Sequence, residues 1–237
     1  MASFNRYERC GCLHAAAIPA GLTYCCATAR SGSLVRRSTC KPGTLWVRET
    51  TANQCEAIAR KRNEFIGKVR QAIEQGKTVA ILDSGDPLVY GPYAWCLEEF
   101  EDLNPVVVPG LSCFNAANAA LRRGITTGEH TKSVILTATD WPGTTDTIER
   151  LSAHRTTMVV FTMTAEFNDF IEKLSANYPP ETPVAVVKHA GYREQEQVIQ
   201  GTLGTIAKQI GDEALPFEYL IYVGDFLTHR YRKPDNP

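Results

Sequence analysis

The sequence lacks any apolar run approaching the roughly 18 residues that a membrane span requires, and its opening MASFNRYERC lacks the apolar core of a secretory signal. A cytoplasmic protein with no membrane partner is therefore expected. It also lacks an excess of either charge, with 25 Lys and Arg against 26 Asp and Glu for a net −1. Within residues 1–50, Arg6, Arg9, Arg30, Arg36, Arg37, Lys41 and Arg48 outnumber Glu8 and Glu49, so the remainder is net acidic. An acidic body excludes the basic stripe of a nucleic-acid binder. Of its eight cysteines, Cys10, Cys12, Cys25, Cys26, Cys40 and Cys55 crowd the first quarter, leaving Cys96 and Cys113 beyond. None of these makes the paired C-x-x-C spacing of a zinc site, so no metal is expected, and a chain of this kind keeps its thiols reduced. No Ser-His-Asp or Cys-His constellation stands out, which directs attention away from nucleophilic catalysis.

What the chain does contain is a strand that runs into a turn. In TVAILDSGDPLVYG (residues 78–91), the nearly unbroken apolar run Thr78–Leu82 reads as a buried parallel strand, and Asp83, Ser84, Gly85, Asp86 and Pro87 break it. Loops at the carboxyl ends of such strands are where open α/β sheets hold small molecules. Gly85 permits close backbone approach, and Pro87 stiffens the turn. The same pattern also fits an ordinary strand-to-helix connection.

Length allows one large domain or two small ones. Residues 1–50 show no clear period of 2 or 3.6, so few regular elements are expected there. Beyond them, Ile58, Phe65, Ile66, Val69 and Ile73 mark one face of a helix that Gly76 closes. A helix over 93–102, a strand at 106–108 and a helix over 112–123 follow. Strands are then predicted at 133–137, 158–162, 183–188, 197–200 and 219–223, with helices at 145–153, 165–177 and 202–211. Strands alternating with helices predict a largely parallel sheet. The fold class is α/β, as two α/β domains with a ligand cleft between them: an atypical segment 1–50, an amino-terminal domain 51–110 and a carboxyl-terminal domain 111–237.

Four segments taken in order add specificity: SGDPLVYG (84–91), VVVPGLSCFNAANAAL (106–121), LSAHRTTMVVFTM (151–163) and YPPETPVAVVKHAGYREQEQVIQGTL (178–203). Together they resemble the tetrapyrrole (corrin/porphyrin) methylases over about Ala57 to Leu227, and the last two resemble most the branch that methylates precorrin-4 at carbon 11. The resemblance implies an S-adenosylmethionine-dependent C-methyltransferase of cobalamin biosynthesis, acting on a tetrapyrrole ring carbon and working as a homodimer. Position by position, it implies cofactor contacts at Ser84, Gly85, Asp86 and Val89, at Ser112 and Cys113, at Met163 near the adenine, and at Ala190 along the adenosine. Asp86 could offset the cofactor's positive charge or serve as an Asx-turn residue. Met163 reads as core or as contact, and Ser112 as helix cap, contact or both. Lys188, Arg193, Arg122 and Arg123 are candidates for the substrate's carboxylates. The catalytic base is not identified.

Residues 1–50 depart from the family pattern. Its members open with an apolar strand feeding a G-x-G-P-G-D-P loop, and Gly11, Gly21, Gly32 and Gly43 match no such loop. The first strand and loop are thus expected to be atypical or missing, as from a displaced reading frame or a replaced terminus. Alternative readings are an inactive or binding-only remnant, or another enzyme of the same fold such as diphthine synthase.

Overall fold

The computed structural model describes residues 22–26, 52–163, 165–211, 215–217 and 219–230. The cysteines at 10, 12 and 40, and any loop between 27 and 51, lie outside the described residues. The chain divides into two compact units, Met1–Ser112 and Cys113–Pro237.

The first unit is built on a parallel three-stranded sheet. Strands β1 (Leu22–Cys26), β2 (Val79–Asp83) and β3 (Val106–Val107) lie in the order β2-β1-β3. β1 pairs with β2 residue for residue from Leu22↔Val79 to Cys26↔Asp83, and with β3 at Thr23↔Val106 and Tyr24↔Val107. This corrects the expectation that residues 1–50 supply no first strand. The run Leu-Thr-Tyr-Cys-Cys is β-prone, but five residues show no readable period, and a central parallel strand need not alternate. Helix α1 (Ala52–Glu74) carries the predicted apolar face, with Val69 buried against Ile81, Cys96 and Phe100. Gly76 ends it in the left-handed region at φ +71°, its amide donating to the Ile73 carbonyl at 2.8 Å. The Phe65 ring meets Trp95, in helix α2 (Trp95–Glu99), edge-on at 6.0 Å. The Arg62 guanidinium lies 3.6 Å from the centre of the same indole, a cation–π contact that covers the aromatic cluster.

In the second unit, helix α3 (Cys113–Leu121) precedes a five-stranded sheet of order β4-β5-β8-β6-β7. The strands are β4 (Val134–Ala138), β5 (Thr157–Phe161), β6 (Pro183–Lys188), β7 (Gln197–Thr202) and β8 (Tyr219–Val223), within a few residues of the predicted spans. Helices α4 (Ile148–Ser152), α5 (Phe167–Ser175) and α6 (Ile206–Ile210) cover one face, burying Ile148, Phe170, Leu174 and Ile206 against Met158, Val160, Val184, Val186 and Ile221. The helices are shorter than predicted; at α4 the Thr147 hydroxyl accepts from the Arg150 amide and fixes the start at Ile148.

A largely parallel sheet is not what the second unit builds. β4 and β5 are parallel, but β8 inserts antiparallel between β5 and β6, and β7 returns antiparallel beside β6. The chain joining β6 to β7, residues 189–196, is shorter than the dozen or so residues a parallel crossover needs, so reversal is the only outcome. Among the described residues no helix is long and apolar enough to cross a membrane.

One titratable group reports on the first core. Burial pushes the Cys96 thiol up to about 12, with Arg62 pulling the other way and Asp83 adding to the rise. A raised folded-state pKa means that the native chain holds this proton more tightly than the unfolded chain. That stabilisation is complete below the ordinary thiol value and is lost as pH climbs from there towards 12. Thermal stability is expected to fall above about pH 8.5, the ordinary cysteine value, and Cys96→Val should flatten the decline over the first pH unit, before the buried Tyr178 and Tyr222 hydroxyls contribute. Melting curves of the two proteins at matched pH values check this.

Candidate functional site

In the first unit, the loop following β2 folds back on its own strand end. Asp83, buried as the last residue of β2, accepts the Ser84 amide through Oδ1 at 2.8 Å. Gly85 takes φ +81°, a left-handed conformation that glycine adopts without strain. The Asp86 carboxylate accepts the Leu88 amide at 2.8 Å, and its carbonyl accepts the Val89 amide at 3.3 Å. This is the Asx-turn arrangement in which the side chain mimics a backbone turn. Pro87 is buried, whereas Ser84 and Leu88 are exposed and Gly85, Asp86 and Val89 are half-buried. Gly91 closes the loop: a Cβ there would lie 2.1 Å from the Pro87 carbonyl oxygen and 3.1 Å from Asp83 Oδ2. The effect is to hold an exposed hydroxyl, a side-chain-free backbone and a carboxylate on a short rigid arc. Ser112, buried, ends this unit at the position preceding α3.

In the second unit, strand directions decide which nominated residues meet. β5 and β6 both run antiparallel to β8, with Phe161 opposite Leu220 and Lys188 opposite Tyr219. Their carboxyl ends therefore flank the amino end of β8 on one sheet edge. Met163 and Ala190 each follow their strand by two residues, so both belong to that edge. The Thr162 hydroxyl donates to the Tyr219 carbonyl at 2.9 Å and locks β5 to β8 where Met163 begins the loop. Met163 and His189 hold φ +53° and +50°, a left-handed backbone that non-glycine residues rarely adopt and that clusters at functional loops.

Helix α3 joins this side of the unit. The Tyr222 hydroxyl donates to the Phe114 carbonyl at 3.1 Å, and a Cβ on Gly191 would touch the Ala116 methyl at 3.6 Å. Cys113, its first residue, is exposed. Burial raises the Tyr222 hydroxyl pKa, and the nearby Cys113 adds to the rise. Of the basic candidates, Lys188 is only 3% exposed, so its ammonium belongs to the interior, whereas Arg122 and Arg193 are exposed. The loop 189–196 is closed by the Glu196 carboxylate, which accepts the Gly191 amide at 2.9 Å. Sequence reading missed Asp83, Gly91, Thr162 and Glu196, because each acts on a neighbour that only the folded chain defines.

The family model described as Tetrapyrrole (Corrin/Porphyrin) Methylases matches residues 24–207. The chain is 33% identical over 176 residues to the cobalt-precorrin-4 C(11)-methyltransferase of Methanocaldococcus jannaschii, covering 71% of this chain and 67% of that protein. The solved structure of a cobalt precorrin-4 methyltransferase superposes with a TM-score of 0.63 at 24% identity, covering 70% of this chain and 72% of that one. A uroporphyrin-III C-methyltransferase from Thermus thermophilus, solved with S-adenosylhomocysteine, superposes at 0.55 with 19% identity, over 70% of this chain and 71% of that one.

The closure of the loop after β2 predicts opposite outcomes for two glycines. Gly91→Ala should cost about 1–3 kcal/mol, the usual penalty for forcing a methyl into filled space. Gly67, on α1 with nothing within 4 Å of a built Cβ, should become more stable by up to ~1 kcal/mol on substitution by alanine. Denaturant titration of the two variants checks the pair.

Proposed function

The chain belongs to the tetrapyrrole methylases, and we propose that it transfers a methyl group from S-adenosylmethionine to a ring carbon of a precorrin-4-class tetrapyrrole. The observation that carries this reading is the extent of the likeness to a cobalt-precorrin-4 C(11)-methyltransferase, which runs through both units rather than through one motif. Cobalamin biosynthesis is the process in which such a step belongs.

The side chains and backbone of these loops fit the cofactor's chemistry. The methionine end carries an ammonium and a carboxylate, and the loop after β2 offers the exposed Ser84 hydroxyl, the Gly85 backbone and the Asp86 carboxylate, with Val89 beside them. The adenosine is flat and largely apolar, and the second unit offers Cys113, Met163 and the small Ala190. Ser112, ending the first unit, completes the proposed contacts. When bound, S-adenosylmethionine supplies an activated methyl on a positively charged sulfur.

The protein's share is then binding, orientation and exclusion of water. Bound there, the cofactor would give its methyl to the ring carbon by cleavage of its carbon–sulfur bond and leave as S-adenosylhomocysteine, with the proton displaced from the ring passing to water. Asp86 balances the cofactor's positive charge while its Oδ1 holds the Leu88 amide. Arg122, Arg123 and Arg193 pair with the substrate's carboxylates. A twofold homodimer is the proposed assembly, the commonest closed form for soluble oligomers.

A second reading, cofactor binding without turnover, is favoured by one observation: residues 1–50 contain no G-x-G-P-G-D-P sequence. Incubation with labelled S-adenosylmethionine and a panel of precorrins and uroporphyrinogen separates the two. Label transferred to precorrin-4 is the expected result. Binding without transfer to any member supports the second reading, and transfer to uroporphyrinogen alone overturns the substrate assignment. Asp86→Asn keeps an oxygen for the Leu88 amide and removes only the charge. It should weaken S-adenosylmethionine by ~1–3 kcal/mol, the range for losing a charged hydrogen-bond partner. Unchanged affinity by calorimetry would reduce Asp86 to a turn former.

A further inference from the structure

The turn after β6 is held by a residue outside the proposed contacts. Between Lys188 and β7 the backbone enters the left-handed region twice, at His189 (φ +50°) and Gly191 (φ +85°), with Ala190 between them. A left-handed histidine is unfavourable in isolation and persists where surrounding contacts over-determine it. The Tyr192 amide donates to the His189 carbonyl at 3.0 Å, and the amides of Gln195 and Glu196 both donate to the Tyr192 carbonyl at 2.7 and 2.8 Å. The His189 and Tyr192 rings meet edge to face at 6.2 Å. Closing the circuit, the Glu196 Oε2 accepts the Gly191 amide at 2.9 Å.

Glu196 sits immediately before β7, whose six residues pair fully with β6. Its carboxylate is thus mounted on the firmest part of the hairpin and reaches back across the loop. On the other side, Gly191 stands against Ala116 of α3, where a side chain would have both a strained φ and a methyl contact at 3.6 Å. The turn is clamped between a strand and a helix of the same unit, and Ala190 is the residue it presents.

We propose that Glu196 is a positioning residue for the cofactor: by holding the Gly191 amide, it fixes the turn that presents Ala190 to the adenosine. The proposal rests on the reading of Ala190 given above. A carboxylate-to-amide bond is charge-assisted and outlasts a neutral one, and a loop ordered before binding spares the ligand the entropy of ordering it.

The test compares wild type with Glu196→Ala and Glu196→Gln, the latter keeping an acceptor oxygen. Calorimetry with S-adenosylhomocysteine should show affinity about 3- to 10-fold weaker for Glu196→Ala, in keeping with one lost hydrogen bond to a charged group, and largely restored in Glu196→Gln. In methyl transfer, the KM for S-adenosylmethionine should rise while kcat at saturation holds, and the Gly191 amide should exchange faster with solvent in Glu196→Ala alone. Wild-type affinity in Glu196→Ala, or equal loss in both variants, overturns the positioning role while leaving the functional reading intact. A wild-type chain that binds neither S-adenosylmethionine nor S-adenosylhomocysteine overturns the functional reading, and this one with it. An unchanged Gly191 amide in Glu196→Ala overturns the clamp whatever the ligand result.

Discussion

Backbone pairing by Leu22–Cys26 is the interaction on which the first unit depends. Among the described residues, β2 and β3 hydrogen-bond to no common strand except β1, which pairs with one along each side. Remove it and two rows of amide and carbonyl groups lose their partners, a cost that side-chain burial does not recover. The consequence reaches the candidate site. The Ser84–Gly91 arc springs from the end of β2, and the Pro109–Ser112 stretch follows β3. A parallel sheet puts both on its carboxyl edge only because β1 aligns the two strands.

In the second unit the comparable constraint is the antiparallel insertion of β8. By separating β5 from β6, it sets the strand ends that lead to Met163 and Ala190 on one edge, two strand spacings or roughly 10 Å apart. The helix-covered face of the sheet buries an apolar core that includes Ile148 and Ile221, so this edge is held by packing that the loops themselves do not supply. Rigid strands with strained turns at their ends are how a fold fixes residues for binding without committing core to the task.

How much of this was legible depended on run length and on context. β2, β5, β6 and β8 are apolar runs of five or six residues bounded by turn formers, and they lie where the sequence puts them to within a residue or two. β1 is as long but stands in an arginine-, serine- and cysteine-rich setting, and its apolar character is visible only beside the partners it pairs with. The direction of β7 and β8 was not legible because pairing sense belongs to the sheet, not to the strand. Within the site, the SGDPLV loop announces itself locally. The contacts that shape it do not: Gly91 is required by the Pro87 carbonyl and Asp83, and the bond from the Gly191 amide to Glu196 spans five residues of loop. Asp86 shows the limit from the other side, since one carboxylate serves an Asx turn and is also the residue nominated to meet a cation.

The family's glycine-rich loop is absent from residues 1–50 as a sequence, while a first strand is present as structure, and activity turns on which of these prevails. Pairing is the part open to direct observation. Amide hydrogen exchange of the full chain, read at Leu22–Cys26 and at their partners Val79–Asp83, measures it without assuming any ligand. If β1 holds the sheet together, Tyr24 and Cys25 exchange as slowly as Ile81 and Leu82, and all slow further when S-adenosylmethionine is added. Exchange at Leu22–Cys26 at the rate of an unfolded peptide, with Ile81 still protected, would contradict the central place given to this strand.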